Sequence, residues 1–241
     1  MNGNFIIEKS GSFLEHNIYA DKSSVVLSWI LNEGINKKTI SIREIVQETK
    51  ISIGLVQRIF SVLVNDGILQ TEGVRTSKKF FLKEPKRLLD NWLNHYQLVK
   101  NCKIWTYRSG IKNKGDMLDL LKKANLCQSL PLALHSAAEI YGYKNTNLQT
   151  LELYLSDLSL QKKIEKILYL EPQERGYEIL LIKPYYKSLL REKIELIDDL
   201  WVSSPLLTFL DLYNYPLRGQ EQAMFLGERD PGLKRIFKAK K

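Results

Sequence analysis

Two adjacent side chains, Gln57 and Arg58, are the best-suited groups in this 241-residue chain for a defined recognition chemistry. In a major groove, glutamine can make paired hydrogen bonds to adenine and arginine to guanine. Both sit near the start of an apolar-periodic run (Leu55, Val56, Ile59, Phe60, Leu63, Val64) that Ser52 can open as a helix. Ile53 and Gly54 allow close approach without a hydrogen-bond code, and Lys50, just ahead, suits a phosphate contact. Downstream, the stretch from Gly73 to Arg87 holds six basic residues (Arg75, Lys78, Lys79, Lys83, Lys86, Arg87) against the single acid Glu84. Such a run can follow a phosphate backbone or enter a minor groove. The candidate DNA contacts are therefore Lys50, Ser52, Gln57, Arg58, Arg75, Lys78, Lys79 and Lys83.

The surrounding segments are those needed to hold such residues in place. Ser23 or Ser24 can cap a first helix carrying Val26, Leu27, Trp29, Ile30 and Leu31, with Gly34 at its end. Ser41 can open a second, with Ile42, Ile45 and Val46 at helical spacing and Glu44 placed for a capping box. After the third helix, Ile68–Thr71 and Lys79–Leu82 read as two strands joined by a basic turn. Three helices and a hairpin in this order predict a winged helix-turn-helix over residues 23–84, behind an N-terminal arm, residues 1–22, that contains Phe5, Ile6, Ile7, Phe13 and Leu14. A winged helix also serves as a protein-interaction module, and a lysine run is often only a solvated face.

Charge divides the chain in the same way. Residues 1–131 carry 20 basic and 12 acidic side chains, residues 132–231 carry 11 and 15, and the last ten add five basic groups and no acid. A basic front, a slightly acidic back and a basic tail suit a nucleic-acid-binding head joined to a different domain. The two cysteines, Cys102 and Cys127, sit in apolar settings and are expected to be reduced and partly buried. No stretch reads as a signal peptide or a membrane span, so a soluble, cytoplasmic protein is expected.

Beyond Pro85 the pattern alternates. A connecting helix is predicted over 85–100, then a strand at Ile104–Tyr107 and helices over Asp116–Asn125 and Pro131–Tyr141. Strands are predicted at Thr150–Leu155, Lys166–Leu170 and Tyr177–Ile182, with a short helix over Leu158–Ile164. Leu200-Trp201-Val202 leads through Ser203-Ser204-Pro205 into a helix ending near Tyr213, and a last helix is predicted over Gln220–Glu228. The expected fold class is α+β: a winged helix-turn-helix, then a mixed α/β domain over 101–241 with a basic C-terminal tail.

Four stretches of this second part carry a resemblance to a known family. They are Pro85–Trp92; Ala133–Ala138 before Tyr141-Gly142; Ile179–Pro184; and Ser204–Leu212 followed by Arg218-Gly219-Gln220-Glu221-Gln222-Ala223. Together they resemble the AbiE-type antitoxins, the regulator half of type IV toxin–antitoxin and abortive-infection systems, over about residues 20–230. The resemblance implies a transcriptional repressor that binds an operator upstream of its own operon. Its functional partner would be a nucleotidyltransferase-like toxin. The resemblance also implies a second domain that contributes to antitoxicity and to operator binding through a positive face. The acidic 132–231 stretch departs from that last point. Reading a palindromic operator would call for two copies, either as a homodimer or as monomers on paired half-sites.

The residues offer little for catalysis. Glycine-rich phosphate loops and Gly-x-Ser-x-Gly are absent, and His16, His95 and His135 do not fall at metal-ligand spacing. No catalytic residue, cofactor or metal is assigned. A metal-dependent nuclease is the enzymatic alternative, with Glu178 and Lys183 flanking one strand and Asp198-Asp199 preceding another. These spacings are loose. Asp211 and Glu221 are expected to hold Arg218 in an ion-pair network at a helix corner.

Overall fold

A computed structural model of the chain describes residues 17–74 and 78–239. The arm residues Phe5, Ile6, Ile7, Phe13 and Leu14 and the candidate contact Arg75 lie outside the described residues. The architecture is mixed α/β. It opens with α1 (Asp21–Asn32), α2 (Ile42–Thr49) and α3 (Ile53–Asn65), followed by an antiparallel hairpin of β1 (Leu69–Glu72) and β2 (Lys79–Leu82).

Local chemistry explains most of these boundaries. Ser41 caps α2 by accepting from the Glu44 amide at 3.2 Å, while the Glu44 carboxylate turns outward to Lys37 Nζ at 2.7 Å. Lys50 ends α2 in the left-handed region, and Ser52 starts α3 two residues later, producing a tight helix–helix turn. The start of α1 differs from expectation. The helix begins ahead of Ser23, with Ala20 at the cap, and Ser24 Oγ bonds back to the Asp21 carbonyl at 2.5 Å. The reason is tertiary: the Asp21 carboxylate accepts from Ser188 N at 2.8 Å and Ser188 Oγ at 2.9 Å, pinning the helix start to a distant segment.

The connecting helix breaks where the sequence predicted continuity. Helix α4 (Pro85–His95) stops at Tyr96, which is extended, and a single turn, α5 (Leu98–Asn101), follows. Next come β3 (Lys103–Ser109), α6 (Lys114–Lys123), α7 (Leu134–Ile140), β4 (Leu151–Tyr154), α8 (Gln161–Ile167), β5 (Leu170–Pro172) and β6 (Ile179–Lys183). The predicted strand at Lys166–Leu170 is a correction: α8 runs to Ile167, and the strand begins only at Leu170, after Tyr169 takes a positive φ of 50°. The chain continues through α9 (Lys187–Glu192), the hairpin β7 (Glu195–Ile197) and β8 (Leu200–Val202), then α10 (Pro205–Tyr213), α11 (Gly219–Arg229) and α12 (Pro231–Lys238). Short charged elements such as α9 and β7 carry too little apolar periodicity to be read from sequence.

Strands β3 to β6 form one sheet in the order β4-β6-β3-β5, with β4 parallel to β6 and the other pairs antiparallel. Strand β6 shows why this sheet is central. Leu180 and Ile182 enter one apolar cluster while Ile179 and Leu181 enter another, so both faces are buried and the strand reads as a continuous hydrophobic run. The first cluster extends from Ile18 through α1, α3 and α4 to Ile236 of α12, so the N-terminal helices and the sheet share it. Both cysteines are free and buried. Among the described residues, no helix is long and apolar enough to cross a membrane.

Candidate nucleic-acid interface

Helix α3 is amphipathic. Val56, Ile59, Phe60 and Leu63 are buried, whereas Gly54, Gln57, Arg58, Ser61 and Asn65 lie on the exposed side. Gln57, Ser61 and Asn65 recur every four residues and line one groove of about 630 Å³. The start of α2 supplies Ser41 and Arg43 to that groove, and the hairpin supplies Thr71 and Lys78. The hairpin is held there by backbone bonds in both directions between Ile40 and Phe80, at 2.8 and 3.1 Å. An edge-on contact between Phe60 and Phe80, with centroids 4.6 Å apart, fixes α3 against it.

The structure therefore brings Gln57 and Lys78 together and leaves the other candidates around them. Arg58 is exposed but outside the groove lining, and Ser52 is exposed at the start of α3 without a capping bond. Lys50 lies at the α2–α3 turn, its Nζ donating to the Gln47 carbonyl at 2.7 Å. Lys79 faces Glu72 across the hairpin register, and Lys83 Nζ lies 5.8 Å from the Phe81 ring centroid. Arg43 was not singled out in the sequence. It stands two positions after the Ser41 cap, where an exposed cation in the first helical turn has no dipole benefit, and that misplacement was the available signal. Arg43, Arg58, Lys78, Lys79 and Lys83 form no ion pair with a described residue.

The second part of the chain buries several polar groups. Asp211 on α10 is fully buried and accepts from Tyr96 Oη at 2.6 Å and from the Tyr154 hydroxyl. Burial pushes its carboxyl up to about 8. This corrects the expected network: Arg218 pairs with Glu221 alone, Nη2 to Oε1 at 2.5 Å and Nε to Oε2 at 2.8 Å, on the exposed surface. Glu152, fully buried on β4, accepts from the Ser136 amide at 3.0 Å, from the Ser136 and Thr150 hydroxyls, and from Tyr177 Oη at 3.3 Å. His135 beside it is buried, and desolvation holds its imidazole below the ordinary histidine range. Neither ring nitrogen makes a well-aligned hydrogen bond to protein. Nearby Glu152 and the Leu217 backbone favour the charged ring without outweighing its burial.

Of the carboxylates weighed for a nuclease, Glu178 accepts from the Ser109 amide at 2.7 Å, and Asp198 and Asp199 occupy the β7–β8 turn with positive φ. Lys183 faces Lys103 across the sheet register. Among the described residues, no group of three or more His, Cys, Asp or Glu side chains is placed to hold a metal ion.

A basic, exposed helix-and-hairpin face is thus joined to a densely hydrogen-bonded α/β body. Residues 81–229 match the family described as transcriptional regulator, AbiEi antitoxin, type IV TA system. That span exceeds half of the chain, and the protein belongs to this family. All four stretches that carried the resemblance fall inside it, although the match is narrower than the 20–230 span expected. No curated protein and no solved structure matches the chain.

Proposed function

We propose that this chain is a sequence-specific DNA-binding repressor acting as the antitoxin of a type IV toxin–antitoxin system and controlling its own operon. Residues 23–84 would be a winged helix-turn-helix, with α3 in the major groove and the β1–β2 hairpin as the wing. Residues 85–100 would connect it to an antitoxin-like domain over 101–241. The partners are operator DNA and a nucleotidyltransferase-like toxin, with the regulator working in the cytoplasm as a homodimer on a palindromic site.

One observation carries this reading. The exposed side of α3, the start of α2 and the adjoining hairpin present five cations (Arg43, Arg58, Lys78, Lys79, Lys83) that form no ion pair with a described residue. An unpaired cationic surface around a helix offering Gln57 suits a polyanion with readable base edges. Membership of the antitoxin family supports the regulatory half, since the head itself lies largely outside the matched span. The test is binding of the purified chain to its own upstream DNA and to a random duplex across a salt series. Tighter, salt-dependent binding to the upstream fragment is expected. Equal, weak binding to both would overturn the reading.

A further inference from the structure

The β7–β8 hairpin continues the central sheet. Leu132 bridges β4 at Leu153 and β8 at Val202, its N–H donating to the Trp201 carbonyl at 2.8 Å and its carbonyl accepting from Ser203 N at 3.1 Å. Strand β7 is therefore the outer edge of that sheet, and no described residue pairs with it on its far side. The opposite edge, β5, ends in Pro172, which has no N–H to offer. Nothing of that kind closes β7, since residues 193–199 hold no proline.

Backbone alternation fixes which groups of β7 face outward. Trp201 turns its carbonyl to Leu132, and Leu196 is its register partner across the hairpin. Opposed residues in an antiparallel pair turn their backbone groups either both toward each other or both away. The N–H and C=O of Leu196 therefore point off the free edge, and its side chain is 57 % exposed. Lys193, Glu195, Asp198 and Asp199 around it form no ion pair with a described residue. Charges of this kind guard an edge against unrelated strands. Here they also select a partner. If a second β7 docks antiparallel about a two-fold axis, outward-facing residues must meet outward-facing residues, which excludes any register centred between two residues. Centring on Leu196 sets Leu196 opposite its own copy, Glu195 opposite Ile197, and Lys193 opposite Asp199 at both ends. Centring on Glu195 opposes Glu195 to itself and Glu192 to Asp198, and centring on Ile197 opposes Glu195 to Asp199. Opposite charges facing each other across strands are favourable and like charges are not, so the Leu196 register stands alone among these three.

We propose that β7 is the surface through which two copies of this chain pair, edge to edge, in the register centred on Leu196. The proposal rests on the homodimer of the function proposed above and names its interface. Leu196 exchanges both backbone hydrogen bonds with its own copy, and Lys193 and Asp199 close the two ends as ion pairs. The two central sheets then run on as one.

Sedimentation equilibrium of the full chain without DNA, over a concentration series, should give a monomer–dimer equilibrium. Lys193→Glu, which sets like charges against Asp199 at both ends, should raise the dimer Kd about tenfold. Adding Asp199→Lys to that variant should restore most of the loss. Leu196→Cys should join two copies through a disulfide when the oxidant diamide is added. The Cα atoms of a hydrogen-bonded antiparallel pair lie about 5.5 Å apart, within disulfide reach. Leu158→Cys, at a site 42 % exposed in the turn before α8, should not couple, and both native cysteines are buried. A chain that stays monomeric, a dimer unmoved by Lys193→Glu, or equal coupling of the two cysteine variants overturns the proposal. Coupling of Leu196→Cys only to a different protein gives the edge to that protein and overturns it too. Binding of the wild-type chain to its upstream DNA is measured separately, so the pairing can fail while the DNA-binding reading stands, and absence of that binding overturns the DNA-binding reading itself.

Discussion

At the scale of single residues, the chain separates groups that face solvent from groups locked inside. Gln57 lines the α3 groove, and Arg58 projects beside it. On the proposed function each reads a base, so replacing either with Ala should cost about 1–3 kcal/mol on the cognate duplex and little on random DNA. Comparing Kd on both duplexes checks this, and equal losses would make them phosphate contacts. Asp211 belongs to the locked class. Its carboxyl, raised to about 8 by burial, keeps its proton in the folded chain at pH values where the unfolded chain has released it. The folded state therefore binds more protons between about pH 4 and 8, and stability conferred by this group is lost as pH rises through that window. Asp211→Asn, which keeps the shape and stays neutral, should flatten the fall. Urea unfolding midpoints from pH 5 to 9 measure it, and an unchanged slope in the variant would place the titration elsewhere.

At the scale of elements, the wing and one helix corner make the sharpest claims. Lys78 and Lys79 flank the hairpin turn, and Arg75 stands in the same basic stretch. Replacing all three with Ala should weaken binding to every duplex and lower the salt slope by up to about three counterions. A wild-type slope in that variant would remove the hairpin from the interface. The α10–α11 corner depends on Gly219. A Cβ there would lie 2.4 Å from the Leu212 carbonyl oxygen and 2.8 Å from Tyr215 Cβ, both on rigid neighbouring structure. Gly219→Ala should therefore destabilise the chain by about 1–3 kcal/mol, read as a lowered denaturation midpoint, whereas Gly54→Ala, with open space around it, should not. The Arg-Gly pair of the closing stretch thus has a packing reason for its glycine.

At the scale of the whole molecule, the N-terminal helices and the sheet are joined by polar as well as apolar contacts. Trp92 Nε1 donates to Tyr186 Oη at 2.7 Å, and that hydroxyl donates to the Tyr19 carbonyl at 2.9 Å, tying α4, the approach to α9 and the segment before α1. With the apolar cluster running from Ile18 to Ile236, the chain should unfold in a single cooperative transition. Calorimetry tests this: two resolved transitions, or a van't Hoff enthalpy well below the calorimetric one, would mean that the head melts on its own.

Local patterns in the sequence were sufficient to define much of this molecule. The α2 cap at Ser41, the apolar repeat of α3, the β1–β2 hairpin and the serine-proline entry to α10 are determined by neighbours within a few residues. The exposed Gln57 face follows from helical spacing for the same reason. Long-range partners decided the rest. The start of α1 moved because Asp21 bonds Ser188, and the connecting helix broke at Tyr96, whose hydroxyl reaches Asp211, 115 positions away. Asp211 left the expected arginine network because α10 turns it into the core, where hydroxyl donors satisfy it. Only the folded chain places Arg43 in the α3 groove and lays α12 against Asn36, since neither contact has any periodicity along the sequence to announce it.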